Sequence, residues 1–366
     1  MHTRRKFLKD AAASAFLLTQ AGLLTSCKRH DKDNTDTGGN PAPGQGSKPL
    51  FGTRGLIIDW GTPGTMLDWP RIAHDTGLTM LGITVSESVT SSSDWMKFFE
   101  ACTKYDIRIE HPQHAMSMLL PRELFKDDPS MFRMNEQGER TPDFNCCTAS
   151  EKGLEIIAGN AAKNARTFPS TSGRYYFWMD DGGKKCNCPV DKDLSASDQA
   201  MIVENAIIKQ LRLTDKRNSV AHLAYHDTIP APGRIQPAEG LFLQFAPFER
   251  TWDYPIADPT AKRAGMNIAN ADYLGHLDDN LKLFPKETAE ILEYWVDDSL
   301  FSNWTKPAKK LPWNKEVFLA DIDTYAKRGI RDIVSFAVYI DQDYVNMYKD
   351  IGFLTDYGNG LKNYRL

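Results

Sequence analysis

The chain has 366 residues, of which 41% are hydrophobic and 25% charged, an ordinary globular composition. A net charge of −4 leaves no basic footprint, so a nucleic-acid partner is excluded as a class. Aromatic residues are fairly abundant, with 8 Trp and 13 Tyr.

The amino terminus reads as an export signal. Met1-His2-Thr3-Arg4-Arg5-Lys6-Phe7-Leu8-Lys9 is basic, and an apolar run follows from Ala11 to Leu24. That run is short and is broken by Ser14, Thr19 and Gln20, which argues against a permanent membrane span. It ends Leu24-Thr25-Ser26-Cys27, which resembles the lipobox of bacterial lipoproteins. The expectation is a signal peptide over residues 1–26 with Cys27 as the lipid-bearing first residue of the mature chain. Thr3 to Lys9 also resembles a twin-arginine signal, with the ordinary secretion route and two fortuitous arginines as the alternative. Residues 27–49 show no apolar periodicity and are rich in Gly, Pro, Asn and Ser, so they are expected to be a flexible tether. One lipid and a tether place the body at a membrane surface, periplasmic or on the outer membrane.

From residue 50 onward the pattern alternates. Apolar runs predict strands over 55–60, 78–84, 107–112, 174–180, 220–225, 240–245, 289–295 and 333–337. Amphipathic stretches predict helices over 66–75, 93–105, 150–165, 195–213, 271–283 and 314–327. The connection after the fifth strand is Pro-rich (Pro230, Pro232, Pro237), and the seventh strand also reads acceptably as helix. Eight strands alternating with mostly helical segments fit an α/β fold of the (β/α)8 TIM-barrel type, in one domain over 50–366. A doubly wound open sheet is the fallback.

A barrel places chemistry at the carboxyl ends of its strands. Those ends and the loops that follow offer Asp59 and Trp60; Glu110, His111 and His114; Asp180 and Asp181; Tyr225, His226 and Asp227; Glu249, Arg250 and Trp252; Trp295, Asp297 and Asp298; and Tyr339, Asp341 and Asp343. Carboxylates recur there, although each is also a plausible helix cap.

The sharpest motif is Tyr175-Tyr176-Phe177-Trp178-Met179-Asp180-Asp181-Gly182-Gly183, an apolar strand running into two carboxylates and two glycines. Close carboxylates do not both ionise cheaply, so one holds a proton near neutral pH. Glycosidic cleavage needs such an acid beside the leaving oxygen. A fourth strand ending in Asp-Asp resembles glycosidases that use substrate-assisted catalysis on 2-acetamido sugars. That resemblance implies Asp180 as the orienting carboxylate and Asp181 as the general acid, although the Asp-Glu pair of the commonest hexosaminidases is missing. A longer resemblance runs over roughly residues 107–250. It rests on Pro121 to Asn135, Gly138-Glu139-Arg140, Asn145-Cys146-Cys147-Thr148, Asp181, Cys186-Asn187-Cys188, Asn205 and Leu223-Ala224-Tyr225. These segments resemble an uncharacterised family of exported bacterial barrels, distantly related to α-glucuronidases and β-hexosaminidases. The resemblance implies a barrel, a carbohydrate (glycan) substrate and a glycosidase-type hydrolase. The family pattern has a further Cys after the Cys-x-Cys, and Asp191 stands near that place here.

Beyond Cys27 there are Cys102, Cys146, Cys147, Cys186 and Cys188. Cys102 sits in an amphipathic helix and is expected in the core. The other four lie in loops that a barrel makes neighbours. A cross-loop disulfide, a structural zinc site and free thiols are all open for them. His111-x-x-His114 is one residue short of a helical pair and no HExxH motif exists, so no catalytic metal or other cofactor is assigned. Trp60, Trp178, Trp252, Trp295 and Trp304 are candidates for stacking on sugar rings. Three functions stay in view: a glycan hydrolase, a non-catalytic glycan-binding barrel, and a metal-dependent sugar isomerase or lyase.

Overall fold

The computed structural model describes residues 48–61 and 65–366. The expected signal peptide, Cys27 and nearly all of the tether lie outside the described residues.

The strands are β1 (Thr53–Ile58), β2 (Met80–Ile83), β3 (Arg108–Glu110), β4 (Gln113–His114), β5 (Arg174–Tyr175), β6 (Phe177–Trp178), β7 (Ser219–Ala224), β8 (Leu241–Phe245), β9 (Glu290–Glu293) and β10 (Asp332–Phe336). They pair in parallel in the order β3-β2-β1-β10-β9-β8-β7-β5, and β4 pairs with β6. β3 with β4, and β5 with β6, are each one barrel strand interrupted by a short unpaired step. The β4–β6 pairing therefore closes the gap between the two ends of the eight-stranded sheet. The fold is a (β/α)8 barrel.

Its longer helices are α1 (Trp69–Thr76), α2 (Ser93–Lys104), α3 (Glu151–Thr167), α4 (Ala196–Leu211), α5 (Asp272–Asn280), α6 (Lys315–Lys327) and α7 (Gly352–Asn363). Most start where sequence chemistry dictates. Ser92, Ser150 and Asn314 each accept a backbone N–H of the first turn, and Ser195 and Asp198 form a reciprocal capping box. The Pro-rich connection after β7 carries only a single 3-10 turn (His226–Thr228) before β8, so this βα unit lacks its α-helix. Proline supplies no N–H to a helical ladder.

Alternation along the strands divides the core into two layers. Ile57, Tyr176, Trp178, Leu223, Tyr225, Phe242, Leu292, Tyr294 and Val334 pack together inside the barrel. Leu56, Ile58, Phe177, Leu241, Leu243, Ile291 and Ile333 join the outer layer beneath the helices. The floor of the interior is polar. Tyr176 donates to Glu110 at 2.6 Å, Gln244 donates to Glu290 at 2.7 Å, and Trp178 Nε1 donates to Gln244 at 2.7 Å. Arg174 pairs with Glu290 and Asp332 and lies over the Phe242 ring. No helix among the described residues is long and apolar enough to cross a membrane.

Candidate active site at the barrel mouth

The fourth barrel strand delivers Met179, Asp180 and Asp181 to the mouth. Beside it, His114 at the end of β4 stands in register with Trp178, and its Nδ1 lies 2.5 Å from the Met179 carbonyl. Asp180 is held from the long loop between β4 and α3. Arg122 donates to its Oδ2 at 2.6 Å, and the Asn145 backbone N–H donates to the same oxygen at 2.6 Å. Asn145 Oδ1 in turn accepts the Asp180 N–H at 2.8 Å. Burial pushes the Asp180 carboxyl above its ordinary range, against the pull of Arg122, the Asn145 amide and His114. Asp181 accepts the Tyr225 hydroxyl at 3.0 Å. The pair is therefore divided: one carboxylate is clamped to a cation, and its neighbour faces a phenol from the next strand.

The two glycines that follow are required by this geometry. Gly182 has φ +61, in the left-handed region. A Cβ on Gly183 would come within 2.6 Å of the Asp180 carbonyl and 2.8 Å of Asn145 Nδ2, so the clamp on Asp180 closes only over glycine.

A cleft opens beside the pair, lined among others by Asn145, Asp180, Lys185, Gln199, Tyr225 and His226. His226 follows β7 at φ 49 and pairs with Glu249 at 2.8 Å. Asp227 is raised by burial. Across the mouth lies a second acidic group. Asp341 caps the helix that follows it and pairs with Lys306. Lys306 lies 5.0 Å from the Tyr339 ring, and Tyr339 has φ 70. Burial raises Asp59 there, with a Tyr339 backbone N–H and Lys306 opposing and Asp341 reinforcing. Asp297 and Asp298 are both buried. Burial pushes Asp298 up to about 7, with the Ser302 hydroxyl opposing and Asp297 and Asp341 reinforcing. Asp298 Oδ1 has no hydrogen-bond partner among the described residues. Between the two groups runs an aromatic floor: Phe248 against Tyr294 (5.1 Å), Tyr294 against Phe336 (5.4 Å) and Trp178 against Phe336 (6.3 Å).

Five sequence candidates lie elsewhere. Trp60 packs on Trp95 and Phe98 of α2. Glu110 is inside the barrel, bound by Ser172 and Tyr176, because the third strand continues past it to His114. His111 points out of the barrel to the Ile83 carbonyl and the rings of Trp95 and Phe168, and burial lowers its pKa. Arg250 is 0% exposed, with its donors spent on Glu293, Asp321 and backbone carbonyls. Trp295 packs on Phe318 and Tyr357 and donates to Asp321. Strand phase accounts for Trp60, His111 and Trp295, since neighbouring residues point to opposite faces. Arg122, Asn145 and Lys306 were missed as site residues. The first two lie within the family-like stretch, and Lys306 had no signal.

Cys102 is buried in the outer core on the inward face of α2, and no disulfide joins the described cysteines. Cys147, Cys186 and Cys188 form a small buried cluster of their own.

The strand order and the carboxylate-rich mouth define a parallel (β/α)8 barrel. The chain belongs to the family described as Domain of unknown function (DUF4838), whose model matches residues 49–285. No curated protein matches it significantly in sequence. Among solved structures it is similar to a β-N-acetylhexosaminidase from Bacteroides fragilis, at 11% identity and TM-score 0.52, covering 86% of this chain and 66% of that one. The chain thus spans slightly less than two thirds of that enzyme. It is also similar to a xylose isomerase domain protein from Planctomyces limnophilus, at 10% identity and TM-score 0.41, covering 87% and 100%. A further likeness is to the tandem GH20 catalytic modules of the pneumococcal exo-β-D-N-acetylglucosaminidase StrH, at 10% identity and TM-score 0.42, covering 86% and 85%.

Proposed function

We propose that this chain is a glycosidase acting on an oligo- or polysaccharide, with Asp181 as general acid and Asp180 as the carboxylate that orients the substrate. The observation that carries the reading is the division of labour at the end of the fourth strand. Arg122 and the Asn145 amide fix Asp180 through one oxygen, and its other oxygen takes no hydrogen bond from the described residues. Asp181 accepts the Tyr225 hydroxyl, which comes from the next barrel strand. A fixed acceptor beside a second, separately held carboxyl is what acid-assisted glycosidic cleavage requires. The cleft and aromatic floor beside them suit a sugar ring. His114, Tyr225, His226, Glu249, Asp59, Tyr339 and Asp341 are proposed to contact the substrate, with the buried Asp297 and Asp298 lying behind them.

Asp181→Asn tests the assignment. On a panel of aryl glycosides and natural oligosaccharides, the variant is expected to lose turnover by two to four orders of magnitude, the scale of general-acid catalysis. Its circular dichroism and melting temperature are expected to match the wild type. Full activity in Asp181→Asn would remove Asp181 from the mechanism. Saturable binding without turnover by the wild type across the whole panel would instead identify a glycan-binding barrel.

A further inference from the structure

We propose that Cys147, Cys186, Cys188 and Asp191 form a mononuclear tetrahedral site for a thiophilic divalent cation of the zinc class, pinning together the two loops that build the mouth. One donor atom from each of the four residues can be chosen so that all lie within 4.8 Å of one another, and all four residues are buried. Two of the six edges match a single ion directly. Cys147 Sγ is 3.7 Å from Cys188 Sγ and 3.5 Å from Asp191 Oδ2. A tetrahedral zinc with bonds of about 2.3 Å to sulfur and about 2.0 Å to oxygen sets its sulfurs about 3.8 Å apart and a sulfur and an oxygen about 3.5 Å apart.

The surroundings hold this donor set in place. Gln199 of α4 accepts the Cys186 N–H at 2.7 Å and donates to the carbonyls of Cys186 and Asp191, both at 2.9 Å, which fixes the chelating turn. The Asp191 N–H returns to the Cys188 carbonyl at 3.0 Å, a one-turn spacing that puts both ligands on the same side. The Met134 backbone N–H points at Cys186 Sγ at 3.3 Å, and the Arg140 guanidinium lies 3.9 Å from the same sulfur. Such outer partners orient ligands and offset thiolate charge. A disulfide would use two of the three sulfurs and leave the third thiol out, whereas a tetrahedral ion takes all three together with Asp191, whose oxygens are oriented by the Thr148 N–H and hydroxyl, both at 2.9 Å.

The site also bears on the mouth. Cys147 lies two residues after Asn145, whose N–H clamps Asp180, and Cys186 lies three residues after Gly183. The cation acts as a structural staple beneath that clamp and takes no part in the reaction.

The full chain, purified without chelators, is expected to carry one zinc by elemental analysis. After metal removal and cobalt(II) titration, it is expected to show the intense visible bands and thiolate charge-transfer absorption of a tetrahedral sulfur site. Cys186→Ser and Cys188→Ser are expected to lose the metal, Cys102→Ser and Cys146→Ser to keep it, and Asp191→Cys to keep it with stronger charge-transfer absorption. If the variants misfold, the cobalt spectrum of the wild type decides alone. Two results overturn the site: a chain with titratable free thiols that binds neither metal, or peptide mapping that finds Cys147 disulfide-bonded to Cys186 or Cys188 in the chain as isolated.

Discussion

Asp298 shows how one residue couples the mouth to stability. Its carboxyl is buried, Oδ1 has no partner among the described residues, and its pKa stands at about 7 against an ordinary 3.8. A raised carboxyl pKa means that the folded state prefers the protonated form. That preference is fully present below pH 3.8 and is lost as the pH rises towards about 7. The span corresponds to about 4 kcal/mol at most. Asn mimics the protonated acid, so Asp298→Asn is expected to equal the wild type in stability at pH 4. At pH 8 it is expected to be more stable by about 2–4 kcal/mol. Urea unfolding at both values measures this, and parallel profiles for the two proteins would remove the buried carboxyl as the cause. At this scale the sequence was half legible. The residue types at strand ends were visible, but the side each one faced depended on where the strand stopped. Asp180 and His114 reach the mouth, whereas His111, one step out of phase with the barrel interior, reaches the helical layer.

Among the elements, the strands were legible because each is a short apolar run bounded by polar or turn residues, and the seventh reads in the structure as β9, not helix. The interruption of the third and fourth strands was not legible, since Pro112 and Tyr176 sit in runs that read as continuous. α7 was missed because Gly352, Gly358 and Gly360 weaken its helical signal. Packing requires one of them: a Cβ on Gly358 would meet the Thr76 carbonyl at 2.3 Å, where α7 crosses α1. Arg250 is the clearest tie between elements. From the loop after β8 it reaches Glu293 of β9 and Asp321 of α6, each at 2.8 Å, and Tyr325 of α6 donates to the same Glu293 at 2.6 Å. Arg250→Met leaves two buried carboxylates without their cation and is expected to cost roughly 3–5 kcal/mol. Adding Glu293→Gln and Asp321→Asn is expected to recover part of that loss by removing the uncompensated charges. Denaturant midpoints of the single and triple variants decide it, and a triple variant no more stable than the single one would show that packing, not charge, sets the cost.

For the whole molecule, the barrel gives a platform, and the amino-terminal sequence carries an expectation of where it is held. Residues 1–27 resemble an export signal with a lipobox cysteine, and the described domain begins at residue 48. We propose that lipid on Cys27 holds the barrel at the cell envelope, facing extracytoplasmic glycan. A single acyl chain binds membranes only marginally, so firm retention requires the multiple chains of a lipoprotein anchor. Every apolar patch on the barrel remains in a Cys27→Ala variant, which isolates the anchor's contribution. In a bacterial host with lipoprotein processing, the wild type is expected to fractionate with membranes and to incorporate labelled palmitate. Cys27→Ala is expected to take up no label and to leave the membrane fraction. A wild-type chain that is soluble and unlabelled would remove the anchor. An unlabelled Cys27→Ala chain still held by membranes would place the attachment on the barrel surface instead.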